Sequence, residues 1–215
     1  MFIWKFLEIE NWQEIHAELY NFLDPLVYYD KNLENDRVLI HYLITDSVST
    51  RKHGTIDIEK FSQACPQFMN FLNSHDKSRK VLKVFVTPPN KVQNIPPDRF
   101  YPHVDNANYI CQTEVELPQT TRQCLSLNLP IKNCADTYTT FYEINESNQD
   151  CLKLVLPDGY RAFRCDDLKE ISRYNLTQPV ICNTSIPHTI NNSSTHQWRV
   201  SLAIRYDVDP WYLTR

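Results

Sequence analysis

Residues 198–207 read WRVSLAIRYD, and the alternation within them decides what kind of fold to expect. Successive side chains of a β-strand point to opposite faces, so Val200, Leu202, Ile204 and Tyr206 share one face and Arg199, Ser201, Ala203 and Arg205 the other. The first face is apolar enough to pack under helices. The second sets two guanidinium groups among small residues, and inside a protein two such cations need an anion. The alternative is a face that lies exposed on the sheet or pairs with Asp or Glu.

Upstream, short β-rich runs alternate with polar turns from VLKVFVTPP (81–89) onward: ANYICQTEVEL (107–117), CLSLNLPI (124–131), TYTTFYEI (137–144), CLKLVLPDGYRAFRC (151–165) and PVICNTSI (179–186). Their number and regular spacing point to an antiparallel sandwich or barrel, with Asp158-Gly159 as a hairpin turn. The first third reads as helical. Asn11 followed by Glu14 has the form of a capping box, and Trp12, Ile15, Leu19, Phe22 and Leu23 recur at the spacing of an amphipathic helix ended by Pro25. Beyond Asp57, Ile58, Phe61, Cys65, Phe68 and Leu72 recur at intervals of three and four. Pro66 interrupts that stripe, which predicts a kink or two short helices, the second opened by Pro66. The expectation is one mainly-β domain over residues 1–215, with 1–80 as a helical supporting layer and 81–210 as the β core.

Composition bounds the function. A chain of 215 residues, 42% hydrophobic and 22% charged, has the makings of one substantial core. A net charge of -4 with scattered Lys and Arg lacks the basic footprint of a dedicated nucleic-acid binder. MFIWKFLEIE (1–10) is broken by Lys5 and Glu8 and has no small-residue cleavage site, and no apolar run reaches the length of a membrane span. Seven cysteines without a CxxC pair read as reduced thiols packed as small hydrophobes, hence a reducing, cytoplasmic compartment. Without a secretory signal, the Asn-x-Ser/Thr triplets at Asn145, Asn175, Asn183 and Asn192 carry no glycosylation meaning. Two glycines leave no phosphate-cradling loop, which removes nucleotide-binding readings.

The chemistry-bearing stretch is YPHVDNANY (101–109), where His103 and Asp105, two positions apart, project from one face of a strand. Alone the pair is a weak signal, and it needs a third ligand. Of seven histidines, His16, His41, His53 and His75 fall in the helical third, leaving His188 and His196.

A His-x-Asp, a distal His and an Arg about ten residues further on in the last strand resemble the Fe(II)- and 2-oxoglutarate-dependent dioxygenases. The resemblance spans roughly residues 80–210 and rests on His103, Asp105, His188 and Arg199. Within that superfamily the chain is most similar to the prolyl-hydroxylase-like and phytanoyl-type oxygenases, and LSLNLPIKNCADTYTTFYE (125–143) resembles their middle strands. It implies a double-stranded β-helix (a cupin-like jelly roll) and a metal site of His103, Asp105 and His188. Two neutral imidazoles and a carboxylate bind Fe(II) on one octahedral face and leave three positions open. The implied reaction hydroxylates a small-molecule or protein side-chain substrate with dioxygen, while 2-oxoglutarate goes to succinate and CO2.

Arg199 is the implied holder of the distal carboxylate, which a planar guanidinium grips bidentately where lysine offers a point charge. Arg205 would assist or meet substrate, and Asn128, Thr140 or Tyr142 would touch cosubstrate or substrate. His196 lies three residues before Arg199, too close for both to reach opposite ends of one 2-oxoglutarate, which favours His188. Tyr101 shares the His103 face and either lines the pocket or packs; Tyr109, Tyr138, Phe141 and Tyr142 are further candidates for its lining. The nucleic-acid dealkylases of the superfamily also carry two arginines six apart, but with Asn and Thr where Ser201 and Ala203 stand here, which weighs against that branch. Two other classes stay open: a cupin-type metal enzyme that does not use 2-oxoglutarate, and a non-catalytic binding or structural module.

Overall fold

Two sheets carry most of the computed structural model, which describes residues 2–27, 40–45, 54–75, 80–87, 103–104, 125–144, 152–155, 161–164, 168–192, 197–206 and 213. In chain order the elements are β1 (Trp4–Phe6), α1 (Trp12–Leu23), β2 (Ile40–Thr45), β3 (Thr55–Asp57), α2 (Ile58–Ala64), α3 (Pro66–His75), β4 (Lys80–Thr87), β5 (His103–Val104), β6 (Leu125–Lys132), β7 (Thr137–Ile144), β8 (Leu152–Val155), β9 (Arg161–Arg164), β10 (Leu168–Asn175), β11 (Val180–Asn183), β12 (His188–Asn192) and β13 (Arg199–Tyr206). A seven-stranded sheet runs β1-β11-β6-β13-β4-β2-β3, and a six-stranded sheet runs β10-β7-β12-β5-β9-β8. Every pairing among them is antiparallel except that of β2 with β3.

The alternation in β13 organises both layers. Val200, Leu202 and Ile204 stand beside Val86, Val84 and Leu82 of β4. Together they join Leu127 and Leu129 in a core shared with Ile15, Leu19, Leu23, Phe61 and Phe68 of the helices. Each such side chain contributes about 1.5–3 kcal/mol by leaving water, so this face holds the helical layer on the sheet. The other face of β13 looks toward the six-stranded sheet. Its Ala203 stands beside Asn128 of β6, whose side-chain amide donates to the Tyr174 hydroxyl of β10 at 3.3 Å. Phe141 and Tyr174 meet Val180 and Cys182 in a second core between the sheets, with Trp4 and Phe6 packed against it. Both faces of β13 are therefore buried, and the exposed arginine face considered from sequence does not occur.

The helices follow their stripes, with corrections at the ends. Asn11 is the N-cap of α1 in the left-handed region (φ 55), which asparagine tolerates, and its side chain makes no capping bond, so the capping box does not form. The α1 helix closes at Leu23, just before Pro25. Pro66 does open a separate helix, α3, whose first amides are capped from outside: the Glu18 carboxylate of α1 accepts from Gln67 N–H at 3.0 Å and Phe68 N–H at 3.2 Å. Asp57 caps α2 by accepting from Lys60 N–H at 2.9 Å.

The first 80 residues are more than a helical support, because β1, β2 and β3 extend the seven-stranded sheet. Strands β1 and β3 are three residues long, too brief for alternation to register. The edge strand β10 was also missed: Lys169, Glu170 and Arg173 give it a hydrophilic text, as exposed edges commonly have. The run ANYICQTEVEL and the Asp158-Gly159 turn lie outside the described residues, although β8 and β9 on either side of that turn pair antiparallel. No described helix is long and apolar enough to cross a membrane. Cys65, Cys134 and Cys182 are buried thiols outside any disulfide, as the cysteine spacing predicted for them.

Candidate functional site

Strand β12 lies between β7 and β5, and its first residue, His188, is the register partner of His103 in β5. Partners in antiparallel strands project from the same face, and here the two imidazole centroids are 4.5 Å apart. His188 is 3% exposed and also meets the Phe141 ring at 5.8 Å, while His103 is half-buried. The approach to His188 is braced by a turn in which the Asn183 side chain accepts from Ser185 N–H at 3.1 Å and Tyr142 N–H donates to Pro187 O at 2.8 Å.

That turn also fixes the tautomer of His188. Its Nδ1 lies 2.8 Å from the carbonyl oxygen of Ile186, which can only accept, so Nδ1 carries a proton and, in the neutral ring, Nε2 is the basic nitrogen. An imidazole oriented in this way by its other nitrogen is prepared to bind a metal.

Across the inter-sheet space, the β13 face supplies the cations. Arg199 is 4% exposed and its Nε has no hydrogen-bond partner among the described residues. Arg205 is 8% exposed, with Nη1 donating to Thr184 Oγ1 at 2.9 Å. Lys83 of β4, the register partner of Ala203, is buried on this same face. Burying a guanidinium with an unsatisfied N–H is costly, and a bound carboxylate relieves that cost.

Other predicted residues land elsewhere. Asn128 has its amide nitrogen on Tyr174 Oη and Cys182 Sγ, each at 3.3 Å, and its oxygen on the Ser126 hydroxyl at 3.0 Å, which makes it a tie between the sheets. Burial foremost, then the Cys182 thiol, raises the Tyr174 pKa far above the ordinary phenol value and keeps its hydroxyl protonated. Thr140 and Tyr142 share the face of Thr189, with Tyr142 Oη 3.2 Å from Thr189 Oγ1, and that face points away from His188. Tyr138, on the same outer face, lies under the Arg173 guanidinium at 4.5 Å. Phe141 alone among the proposed middle-strand aromatics reaches the histidine pair. Asp105, Tyr101, Tyr109 and His196 lie outside the described residues. Among the described residues, no three of His, Cys, Asp and Glu gather as a metal site.

Sequence reasoning passed over Lys83 and Thr87, although VLKVFVTPP alternates just as the final strand does. Lys83, Phe85 and Thr87 stand beside Ala203, Ser201 and Arg199, so the polar face of β13 continues onto β4.

No protein-family profile matches the chain, and no curated protein matches it. A solved structure described as "a Putative oxygenase from Shewanella oneidensis" is similar at 10% identity and a TM-score of 0.43, covering 95% of this chain and 80% of that one. A superposition that loose leaves the chemistry to be argued from the chain's own residues.

Proposed function

We propose that this chain is an Fe(II)- and 2-oxoglutarate-dependent dioxygenase on a double-stranded β-helix, hydroxylating a small metabolite or a protein side chain in the cytoplasm. The observation that carries the proposal is the His103–His188 pair, with His188 oriented through Nδ1 by the Ile186 carbonyl, on the side of its sheet that faces the arginine-bearing face of β13. His103 and His188 would hold the metal, with Asp105 completing the set. The residues present fit the group on two counts: the orientation of His188 by Ile186 and the buried Nε–H of Arg199, which has no partner among the described residues.

When bound, iron and 2-oxoglutarate supply the oxidising power, one oxygen atom of O2 passing into succinate as CO2 leaves and the other into the hydroxylated substrate. The chain's own part is positional. Arg199 receives the distal carboxylate as two parallel charge-assisted hydrogen bonds, which sets the oxo acid's orientation as well as its affinity. Phe141 and the inter-sheet core shield His188 from water, which strengthens its polar contacts. Arg205, steadied by Thr184, supports the cosubstrate or meets substrate. Asn128 contributes as a tie between the sheets, since its amide protons already have protein partners. The Arg199 Nε, without a partner among the described residues, favours this function over a cupin-type enzyme without 2-oxoglutarate, whose chemistry gives a buried arginine no carboxylate to hold.

The test is an anaerobic titration of the protein with Fe(II) and 2-oxoglutarate, followed by the visible charge-transfer band of the chelate. A band that disappears in His188→Ala is the expected result. Absence of iron binding would return the chain to a non-catalytic module, and iron binding without the band would make it a metal enzyme of another kind.

A further inference from the structure

Arg199 is not the only unsatisfied group at its end of the strand. Thr87, its register partner in β4, also has a buried hydroxyl with no hydrogen-bond partner among the described residues. Register partners in antiparallel strands share a face, with Cβ atoms about 4.5–5.5 Å apart. Two residues that each carry an unspent polar atom therefore stand side by side on β4 and β13. An isolated orphan could be a packing compromise, but two adjacent ones share a single missing partner.

The identity of the orphan atom on Arg199 narrows that partner. The atom is Nε, the guanidinium nitrogen nearest the backbone. A carboxylate that satisfies Nε–H together with an Nη–H lies against the side of the guanidinium, drawn back toward the strand. Residue 87 is the partner of Arg199 on the neighbouring strand. A hydroxyl there donates to a carboxylate oxygen left unsatisfied by the arginine. An apolar residue of the same shape would fill the space and offer nothing.

We propose that Thr87 is a cosubstrate-positioning residue, whose hydroxyl joins Arg199 in holding the distal carboxylate of a dicarboxylic 2-oxo acid. This rests on the function proposed above and extends it to selectivity: a 2-oxo acid without the second carboxylate gains nothing from Thr87.

The test is 2-oxoglutarate affinity, measured anaerobically by titration of the Fe(II)-loaded protein, with pyruvate as the probe that lacks a distal carboxylate. Thr87→Val keeps the shape and β-branching and removes only the hydroxyl. It should weaken 2-oxoglutarate roughly tenfold to a hundredfold, the range for one hydrogen bond to a charged group. Pyruvate affinity should stay unchanged, and Thr87→Ser should restore 2-oxoglutarate affinity. Unchanged 2-oxoglutarate affinity in Thr87→Val, alongside a wild type that binds it and an Arg199→Ala variant that binds it more weakly, overturns the role of Thr87 alone. Equal weakening of both acids overturns it too, as a general disturbance of the site. A wild type that binds iron but neither oxo acid overturns the proposed function, and this inference with it.

Discussion

His103 and His188 are partners across β5 and β12, with ring centroids 4.5 Å apart, although 84 positions of sequence (188 − 103 − 1) separate them. Two imidazoles on one face of the sheet, one of them oriented through Nδ1 by Ile186, suit a shared metal. Changing His103, Asp105 or His188 to Ala should abolish Fe(II) binding and metal-dependent turnover while leaving the far-ultraviolet circular dichroism near wild type. Each residue is tested separately by metal analysis after desalting. A variant that keeps stoichiometric iron removes its residue from the ligand set.

Arg199→Ala should raise the 2-oxoglutarate concentration needed for half-maximal succinate release by roughly tenfold to a hundredfold, since charge-assisted hydrogen bonds are lost. Arg199→Lys should recover only part of this, because an ammonium cannot reproduce the side-on grip. An unchanged requirement in Arg199→Ala would shift the carboxylate to Arg205.

The parts of this architecture that were legible in sequence are those dictated by local alternation. WRVSLAIRYD announced a strand with one greasy and one cationic face, and both faces are where that text put them. Pro66 likewise marked the break between α2 and α3, because a missing N–H is tolerated at a helix start and nowhere inside. What was illegible depends on partners distant in sequence. Three-residue strands such as β1 exist because β11 offers them an edge, and a charged run such as LKEISRYN becomes a strand because β7 pairs with it. The face pairing of Thr87 with Arg199 was visible only as two alternations that happened to be in phase. Within the site, a two-residue strand holding His103 leaves no periodic trace at all.

Glu18 provides a test of such a distant partnership. Its carboxylate accepts from the Gln67 and Phe68 amides at the start of α3, satisfying donors that Pro66 and Cys65 cannot. Glu18→Ala should cost about 1–2 kcal/mol, comparable with loss of a good N-cap. For a domain of this size that lowers Tm by roughly 2–8 °C, read by calorimetry. The 2-oxoglutarate requirement should not move, because the helical layer sits on the far side of the seven-stranded sheet. An unaltered Tm would mean that water caps α3 equally well.

Cys65, between α2 and α3, should behave as an inert thiol. It is fully buried, and burial first, then the Glu18 carboxylate, pushes its pKa from 9.0 up to about 12. The thiolate is the form that reacts with iodoacetamide, so native protein should resist alkylation at Cys65 through pH 9 and label rapidly once unfolded in denaturant. The same shift couples to stability. With the folded pKa above the unfolded value, protonated Cys65 favours the native state fully below about pH 9, and that contribution is lost as pH rises toward 12. Replacing Cys65 by Ala removes this alkaline dependence, at the cost of a smaller side chain in the core. Glu18→Ala should leave most of the protection from alkylation, since burial is the larger cause. Mass-spectrometric mapping of labelled peptides distinguishes the outcomes, and fast native labelling at pH 8 would contradict the packed environment of the thiol.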